Sequence, residues 1–464
     1  IYCNFAENFI NIDLIFLLLA IHRQDMKIKL KKGLDLNIAG AVTEVQPVKC
    51  DVKLFAVDPD DFPGLKPKLC VKEGDSVLTG TPLIFDKDYP QLKLVSPVAG
   101  TVKAVVRGER RKIMRVEIEA GADPTASVEY AVAPTKDAEA IYDFLAEAGL
   151  IAEMRQRPYD IVPRPGRPVR DIFVTAIDSA PLAVSPEAAL AGRKDDLTAG
   201  AALLSKATKG KIYLSVRPGS AIPLIAKTER VEVEGPHPAG NAGVQAANIA
   251  PVNKGETIWT LSAVTLARIG ALVNSRRRDC RALVAVCGPE VDRPCVADTF
   301  EGAAIAPLLS GRLAETGHNR RIISGNVFTG TKEAEDGFMH FPYTQLTVIA
   351  EGDDRTEFMG WASMAPSKQS VSPTFPGHFL RRVFSPDARL NGGRRSIIMS
   401  GEYDRMLPMD ILSEYLIKAA LNKDIDQMEK LGIYEVAPED FGPAEYADTS
   451  KLPVQQIIRD GLDH

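Results

Sequence analysis

The stretch that decides the fold is residues 170–217, "RDIFVTAIDSAPLAVSPEAALAGRKDDLTAGAALLSKATKGKIYLSVR". "RDIFVTAID" (170–178) is an apolar run of β-branched and aromatic residues, the pattern of a strand buried on both faces. "DLTAGAALLSKATKG" (196–210) has the spacing of a helix, stopped by Gly210. "KIYLSVR" (211–217) is a second strand. Strand, helix and strand with short connections make a βαβ unit, which implies a parallel sheet. A further strand, "ERVEVEG" (229–235), runs into "GPHPAGNAG" (235–243), a loop rich in glycine and proline. Asp178 ends a strand, where ligands gather in open α/β sheets. It reads equally, and preferably, as the cap of the turn that follows.

On the N-terminal side, "TKDAEAIYDFLAEAGL" (135–150) reads as a helix capped by Thr135 and ended by Gly149, with Ile141, Leu145 and Ala148 on one face. On the C-terminal side, "ETIWTLSAVTLARIGALVN" (256–274) reads as one helix with Leu261, Val264, Ile269 and Leu272 in the core. Residues 26–124 alternate at period two between turns. Their half-motifs "VKEGDSVLTGTPL" (71–83) and "VSPVAGTVKAV" (95–105) predict a sandwich of two related hairpins, similar to the barrel-sandwich hybrid of biotinyl and lipoyl carriers. The hairpin that carries the modified lysine in such carriers reads "DKDYPQLKL" (86–94) here. Neither Lys87 nor Lys93 has a carrier setting, so a structural domain is the favoured reading. "RALVAVCG", "CVADTFEGAAIAPLLSG" and "NRRIISGNVFTG" (281–330) predict a β-grasp module. In the tail, "LPMDILSEYLIKAALNK" (407–423) offers a stripe of Ile411, Leu412, Tyr415, Leu416 and Ala419, and "DIDQMEKLG" a second helix ending at Gly432.

A length of 464 residues implies several domains. A net charge of −5 gives no reason to expect nucleic acid as a partner. Basic clusters stand at Arg110, Arg111 and Lys112, at Arg276 to Arg278 with Arg281, at Arg381 and Arg382, and at Arg394 and Arg395. They read as solvated surface; the alternative is docking onto an acidic partner or anionic headgroups. Six cysteines without a C-x-x-C pair exclude the common zinc and iron–sulfur spacings and read as reduced thiols of a cytosolic protein. "INIDLIFLLLAI" (10–21) is interrupted by Asp13 and too short to span a bilayer. Residues 1–25 therefore read as a non-native or upstream extension, with the natural start at Met26.

The order of these pieces, with "SPVAGTVKAVVRGERR" (96–111), "FPYTQLTVIAEGDDRTEFMGW" (341–361) and "GEYDRMLPMDIL" (401–412), resembles the A-subunit (NqrA) family of the sodium-translocating NADH:quinone reductases, distantly similar to the C-subunit of the Rnf complex and the NADH-binding subunit of respiratory complex I. The resemblance covers nearly everything from Met26 onward. It implies a multidomain α/β fold: a barrel-sandwich hybrid over 26–124, a Rossmann-like domain resembling a degenerate flavin/NADH-binding domain over 125–284, an SLBB-like β-grasp over 285–340, and a region ending in helices over 341–464.

The resemblance also implies function. The whole complex reduces ubiquinone to ubiquinol with NADH and exports Na+, using FAD, FMN, riboflavin and iron–sulfur centres. A chain of this kind is peripheral, on the cytoplasmic side of the bacterial inner membrane, attached through five other subunits and above all the membrane-embedded B-subunit. In the relatives two glycine-rich loops accompany flavin and NADH. Their counterparts here are "GLIAEMRQRPYD" (149–160), where Met154, Arg155 and Gln156 stand in place of glycines, and "GPHPAGNAG", where Asn241 and Ala242 replace an acidic end. In the first loop bare backbone can no longer approach a phosphate, whereas His237-Pro238-Ala239-Gly240 keeps the backbone pattern of the second. The expectation is no NADH, flavin, cluster or metal on this chain, and no catalytic residue of its own. The vacated cleft either contributes to a quinone site, with Arg155, Arg157, His237, Gly240 and Asn241 as candidate contacts, or is a scaffold filled by side chains. Taken singly, His237 reads as a surface-loop histidine, and Arg155 and Arg157 as surface ion-pair formers. The competing class is a biotinyl- or lipoyl-type carrier or scaffold protein.

Overall fold

The computed structural model describes residues 26–354, 369–371, 377–380, 382–390 and 392–464. The apolar run before Met26, Cys3, Arg381 and the end of the 341–361 motif lie outside the described residues.

The centre is a six-stranded sheet in the order Met26–Lys29, Glu229–Glu234, Ile212–Val216, Ile172–Thr175, Ile258–Ser262, Arg155–Arg157. The first five strands are parallel and the last is antiparallel. Its strands alternate between two cores, because successive side chains of a strand point to opposite faces. Ile172, Val174, Leu214, Val216, Trp259 and Leu261 join one core with the helices Ala138–Glu147, Lys194–Leu204 and Ala263–Ser275. Phe173, Tyr213, Val231, Val233 and Ile258 join the other, with helix Ala242–Ile249 and the C-terminal helices. Burial on both faces explains why these strands read as continuous apolar runs.

It also explains a misreading. "ETIWTLSAVTLARIGALVN" is two elements: strand Ile258–Ser262, then helix Ala263–Ser275. Ser262 caps the helix, its Oγ accepting from the Thr265 amide at 3.0 Å. Leu261 is core, 5% exposed, but as a strand residue. A mostly apolar strand running straight into a mostly apolar helix shows little change of period to mark the join. Two smaller shifts are local. Asp137, not Thr135, caps the helix at 138, and the helix predicted to reach Gly210 stops at Leu204.

The N-terminal sandwich has one sheet ordered Leu54–Val57, Ile113–Ala120, Gly100–Arg107, Ser76–Val77 and another ordered Pro67–Leu69, Pro82–Asp86, Lys93–Val95. Leu83, Ile84, Leu92, Val98, Val102, Val116 and Ile118 close the space between them. The third sheet is ordered Thr331–Glu333, Arg320–Ser324, Gln345–Ala350, Arg281–Cys287, Cys295–Phe300, Pro47–Lys49. Its strands come from both sides of the sandwich in sequence, since Pro47–Lys49 pairs in parallel with Cys295–Phe300.

In the tail, Ile411, Leu416 and Ala419 are buried as the stripe predicts, but Leu412 and Tyr415 are 57% and 55% exposed. The helix begins at Ser413, and its buried face runs through Leu416, Ile417, Ala419 and Ala420. Cys50, Cys70, Cys280, Cys287 and Cys295 are unpaired thiols; burial pushes Cys280 and Cys287 up to about 12.

Helices Lys194–Leu204 and Ala263–Ser275 cross at two glycines. A methyl group on Gly200 would overlap the Leu266 carbonyl, and one on Gly270 the Asp196 carbonyl. Gly270→Ala forces the helices apart and is expected to cost ~2–3 kcal/mol, read as a lower urea midpoint. An unchanged midpoint would mean that this crossing does not constrain the domain.

Candidate functional site

The loop "GPHPAGNAG" leaves strand Glu229–Glu234 and crosses the C-terminal ends of the parallel strands, the end of an open α/β sheet at which ligands bind. Its glycines serve the chain itself. Gly240 lies on the segment after strand Ile172–Thr175: its amide donates to Ser179 Oγ at 2.8 Å, and its carbonyl accepts from Thr175 Oγ1 at 2.9 Å. A Cβ there would sit 2.8 Å from the Ser179 amide nitrogen. The close approach that glycine permits is used by backbone against backbone. The turn reading of Asp178 holds: Oδ1 accepts from the Ala180 amide at 3.0 Å.

His237 is buried, 4% exposed, and not on a surface loop. Its amide donates to Asp35 Oδ1 at 2.9 Å, its carbonyl accepts from the Leu34 amide, and its ring stacks on Phe328 at 5.2 Å. Contacts so distant in sequence leave no local pattern. Nδ1 lies 3.0 Å from Ser179 Oγ. That hydroxyl also accepts from the Gly240 amide, and Nε2 on the other side of the ring has no hydrogen-bond partner among the described residues. Burial, with Arg217 adding to it, pushes the imidazole down to about 4, so His237 is neutral at physiological pH.

Arg157 is 1% exposed, a correction to its reading as a surface ion-pair former. Three acids surround its guanidinium: Asp160 at 3.7 Å, Glu439 at 3.5 Å and Asp440 at 3.6 Å. Two of them come from the short 3₁₀ turn Pro438–Phe441 of the tail. Asp440 is fully buried; it accepts from the Ala437 amide at 2.9 Å and from Asn241 Nδ2 at 3.0 Å. Asn241 is the residue before helix Ala242–Ile249, yet its side chain does not cap that helix. Arg157 lies so close to the first turn that a Cβ on Gly243 would be 2.6 Å from Nη2. A carboxylate of the chain therefore stands beside the helix N-terminus, where an anion is favoured. Burial raises the Asp440 carboxyl from its ordinary value, against the lowering effect of Arg157. Asp160 is also desolvated, but Arg157, Arg155 and Arg459 hold it below the ordinary range.

The other loop, "GLIAEMRQRPYD", is closed. Leu150 to Ala152 and Met154 are at most 1% exposed, and Arg155–Arg157 is a strand paired with Ile258–Ser262. Glu153 accepts from Arg268 Nη1 at 3.1 Å, from Thr265 Oγ1 at 3.0 Å and from Arg278. Arg278, which reads from sequence as surface, is 7% exposed. Arg155 is half-buried and turned away from the rest. It donates to the carbonyls of Ala152, Met154 and Asp61, and its guanidinium covers the Phe341 ring. The five candidates thus divide. Arg157 and Asn241 share Asp440, His237 and Gly240 share Ser179, and Arg155 stands apart. Sequence reasoning missed Asp440, Asp160 and Ser179, whose roles exist only through contacts across the chain.

Two measurements test this electrostatic picture. Asp440→Ala leaves a buried guanidinium short of a counter-charge and is expected to cost ~3 kcal/mol or more, whereas Glu439→Gln, at a half-exposed side chain, should cost below ~1 kcal/mol; equal costs in denaturant titrations would contradict the assignment. The histidines should titrate on opposite sides of neutrality. His340 sits between Asp61 at 2.7 Å and Glu333 at 2.8 Å; burial opposes its charge, but the two acids raise it to about 9. Its contribution to stability is full below its unfolded value near ~6.5 and is lost as pH rises through about 9. His237 has the opposite sign: the unfolded chain takes up its proton first, so stability falls as pH drops from ~6.5 towards about 4. Imidazole NMR shifts that move together near pH ~6.5 would overturn both.

Comparison with known proteins agrees with this architecture. Residues 28–121 match the model of the NqrA N-terminal barrel-sandwich hybrid domain, residues 136–277 the NqrA second alpha/beta domain, and residues 283–334 the NQRA C-terminal domain. The chain is similar to the A-subunit of the Na(+)-translocating NADH-quinone reductase of Serratia proteamaculans, with 34% identity over 94% of this chain and 98% of that one. Against the protein of the same name from Rhodopirellula baltica, identity is 33% over 94% and 97%. Among solved structures, an H2-reduced NAD+-reducing NiFe hydrogenase matches 64% of this chain and 54% of its own at 14% identity, with a TM-score of 0.33. On its domain models and its near full-length relatives, the chain belongs to the NqrA family, the A-subunits of Na(+)-translocating NADH-quinone reductases.

Proposed function

We propose that this chain is the peripheral subunit of the quinone end in a sodium-translocating NADH:ubiquinone reductase, and that it works there as a rigid scaffold. The NADH, FAD, FMN, riboflavin and iron–sulfur chemistry belongs to the partner subunits, and the membrane-embedded B-subunit, on the cytoplasmic side of the inner membrane, is the surface it covers. The observation that carries the scaffold reading is Asp440, held by Asn241 beside the helix N-terminus where a nucleotide phosphate would lie. The closed "GLIAEM" loop supports it from the other side, since Met154 is fully buried in the core. Among the described residues no helix is long and apolar enough to cross a membrane, which agrees with attachment through partners.

A second reading rests on one feature of the same cleft. Two nitrogens of Arg157 and, in the tautomer protonated there, His237 Nε2 are buried donors without a hydrogen-bond partner among the described residues. Such donors suit a neutral carbonyl acceptor, and a quinone oxygen is one. The assembled enzyme separates the readings. If quinone reaches His237, His237→Ala raises the quinone KM about tenfold or less while NADH oxidation by an artificial acceptor is unchanged. The scaffold reading predicts unchanged kinetics, or an assembly defect that lowers every activity together. The purified chain should show no flavin absorption and no heat of NADH binding; a stoichiometric flavin band would overturn both readings, and an intact mass raised by a biotinyl or lipoyl group on Lys87 or Lys93 would establish the carrier alternative.

A further inference from the structure

The two longest strands, Gly100–Arg107 and Ile113–Ala120, form a hairpin whose tip reads Gly108-Glu109-Arg110-Arg111-Lys112. The turn is tight: the Gly108 amide donates to the Lys112 carbonyl at 2.9 Å, and the Lys112 amide to the Glu109 carbonyl at 3.0 Å. Its two central residues are left-handed, Arg110 at φ 53° and Arg111 at φ 62°. Such a turn is normally built from Asn-Gly, because a side chain in that region crowds its own backbone. Two consecutive arginines are the opposite choice, and local strain of this kind persists where the side chains serve a contact.

The rest of the tip is tied down. Arg107 Nη1 donates to the Arg111 carbonyl at 3.0 Å, and Lys112 Nζ pairs with Asp60 at 2.5 Å. Arg110 and Arg111 are exposed and make no side-chain hydrogen bond or ion pair among the described residues. They carry positive charge outward from a chain of net charge −5, with Glu109 as the only acid of the tip. None of residues 107–112 is apolar, so the tip has no anchor for an acyl layer. The backbone of the tip is braced, and a planar guanidinium pairs in bidentate fashion with a carboxylate.

We propose that Arg110 and Arg111 form a docking finger for a carboxylate-rich patch on a partner subunit. This rests on the chain being one subunit of a larger enzyme and is independent of the quinone reading. The test is reassociation of the full chain with enzyme stripped of this subunit, followed by co-purification at increasing salt. An Arg110→Asn, Arg111→Gly double variant puts the favoured turn residues in place. It is expected to raise the thermal midpoint of the chain by ~1–4 °C while weakening reassociation on the order of tenfold. Arg110→Glu with Arg111→Glu should abolish reassociation. Wild-type reassociation of either variant would overturn the proposal. So would sedimentation of the wild-type chain, but not the Glu-Glu variant, with phosphatidylglycerol vesicles, because the arginines would then serve lipid.

Discussion

Much of this molecule depends on one buried cation. Arg157 ends the antiparallel edge strand of the central sheet, and its charge is answered by acids from two places: Asp160 in the adjoining turn, and Asp440 with Glu439 in the tail. Removing a guanidinium from water is costly, and only surrounding charges and donors offset it. The tail therefore has one position in which Asp440 meets both Arg157 and Asn241. Arg459 fixes the same turn from the final helix, bonding Asp160 and the Tyr159 carbonyl. Once the tail is there, Leu416, Ile417, Met428, Phe441, Val454 and Ile458 cover the sheet face carrying Phe173, Tyr213, Val231 and Val233. The hydrophobic layer supplies the bulk of the stabilisation, because area removed from water scales with the number of such side chains. The ionic cluster supplies the register.

The same device recurs between the domains. Glu153 of the closed loop is held by Arg268 and Arg278, and both arginines also reach Glu301, which follows strand Cys295–Phe300 of the third sheet. Burial pushes Glu301 up to about 7, with Arg268 opposing, so this acid is the weakest member of the set. His340, raised by Asp61 and Glu333, joins the third sheet to the N-terminal sandwich, and the stacking of Phe62 on Phe341 at 5.2 Å lies beside it. Three junctions are thus made by charged groups shielded from water rather than by apolar area alone. Directional contacts fix relative orientation in a way that non-directional apolar contacts do not.

The fold was legible where periodicity is a local property. Ile172 to Thr175 and Ile212 to Val216 announce buried strands by composition, and the turns of the sandwich recur with their glycines. What escaped was the join between strand Ile258–Ser262 and helix Ala263–Ser275, where both elements are mostly apolar. The site was less legible for a different reason. Composition places His, Arg and Asn in glycine-rich loops at the surface, since such residues are mostly exposed. Whether Arg157 is buried is decided by Asp440, and whether His237 is buried by Asp35 and Phe328. None of these partners is near in sequence. The reading of "GLIAEMRQRPYD" as a loop without room for a phosphate did not foresee that Met154 and Glu153 are buried in the core.

These contacts divide the charged groups by direction. Arg157, Arg268 and Arg278 point inward and are consumed by the fold; Arg110 and Arg111 point outward and are held by a turn that disfavours them. An inward arginine exchanged for a neutral residue leaves its acids unpaired, so the surrounding packing resists the change. An outward arginine in a left-handed turn has no such support from within, and Asn-Gly would relax the backbone. Nothing among the described residues supports arginine at either position. His237 falls between these cases: it is buried and neutral, and its Nε2 has no hydrogen-bond partner among the described residues. What holds His237 is the stacking on Phe328 and the bonds of its backbone to Asp35 and Leu34, so its place in the fold rests on shape and backbone contacts and not on charge.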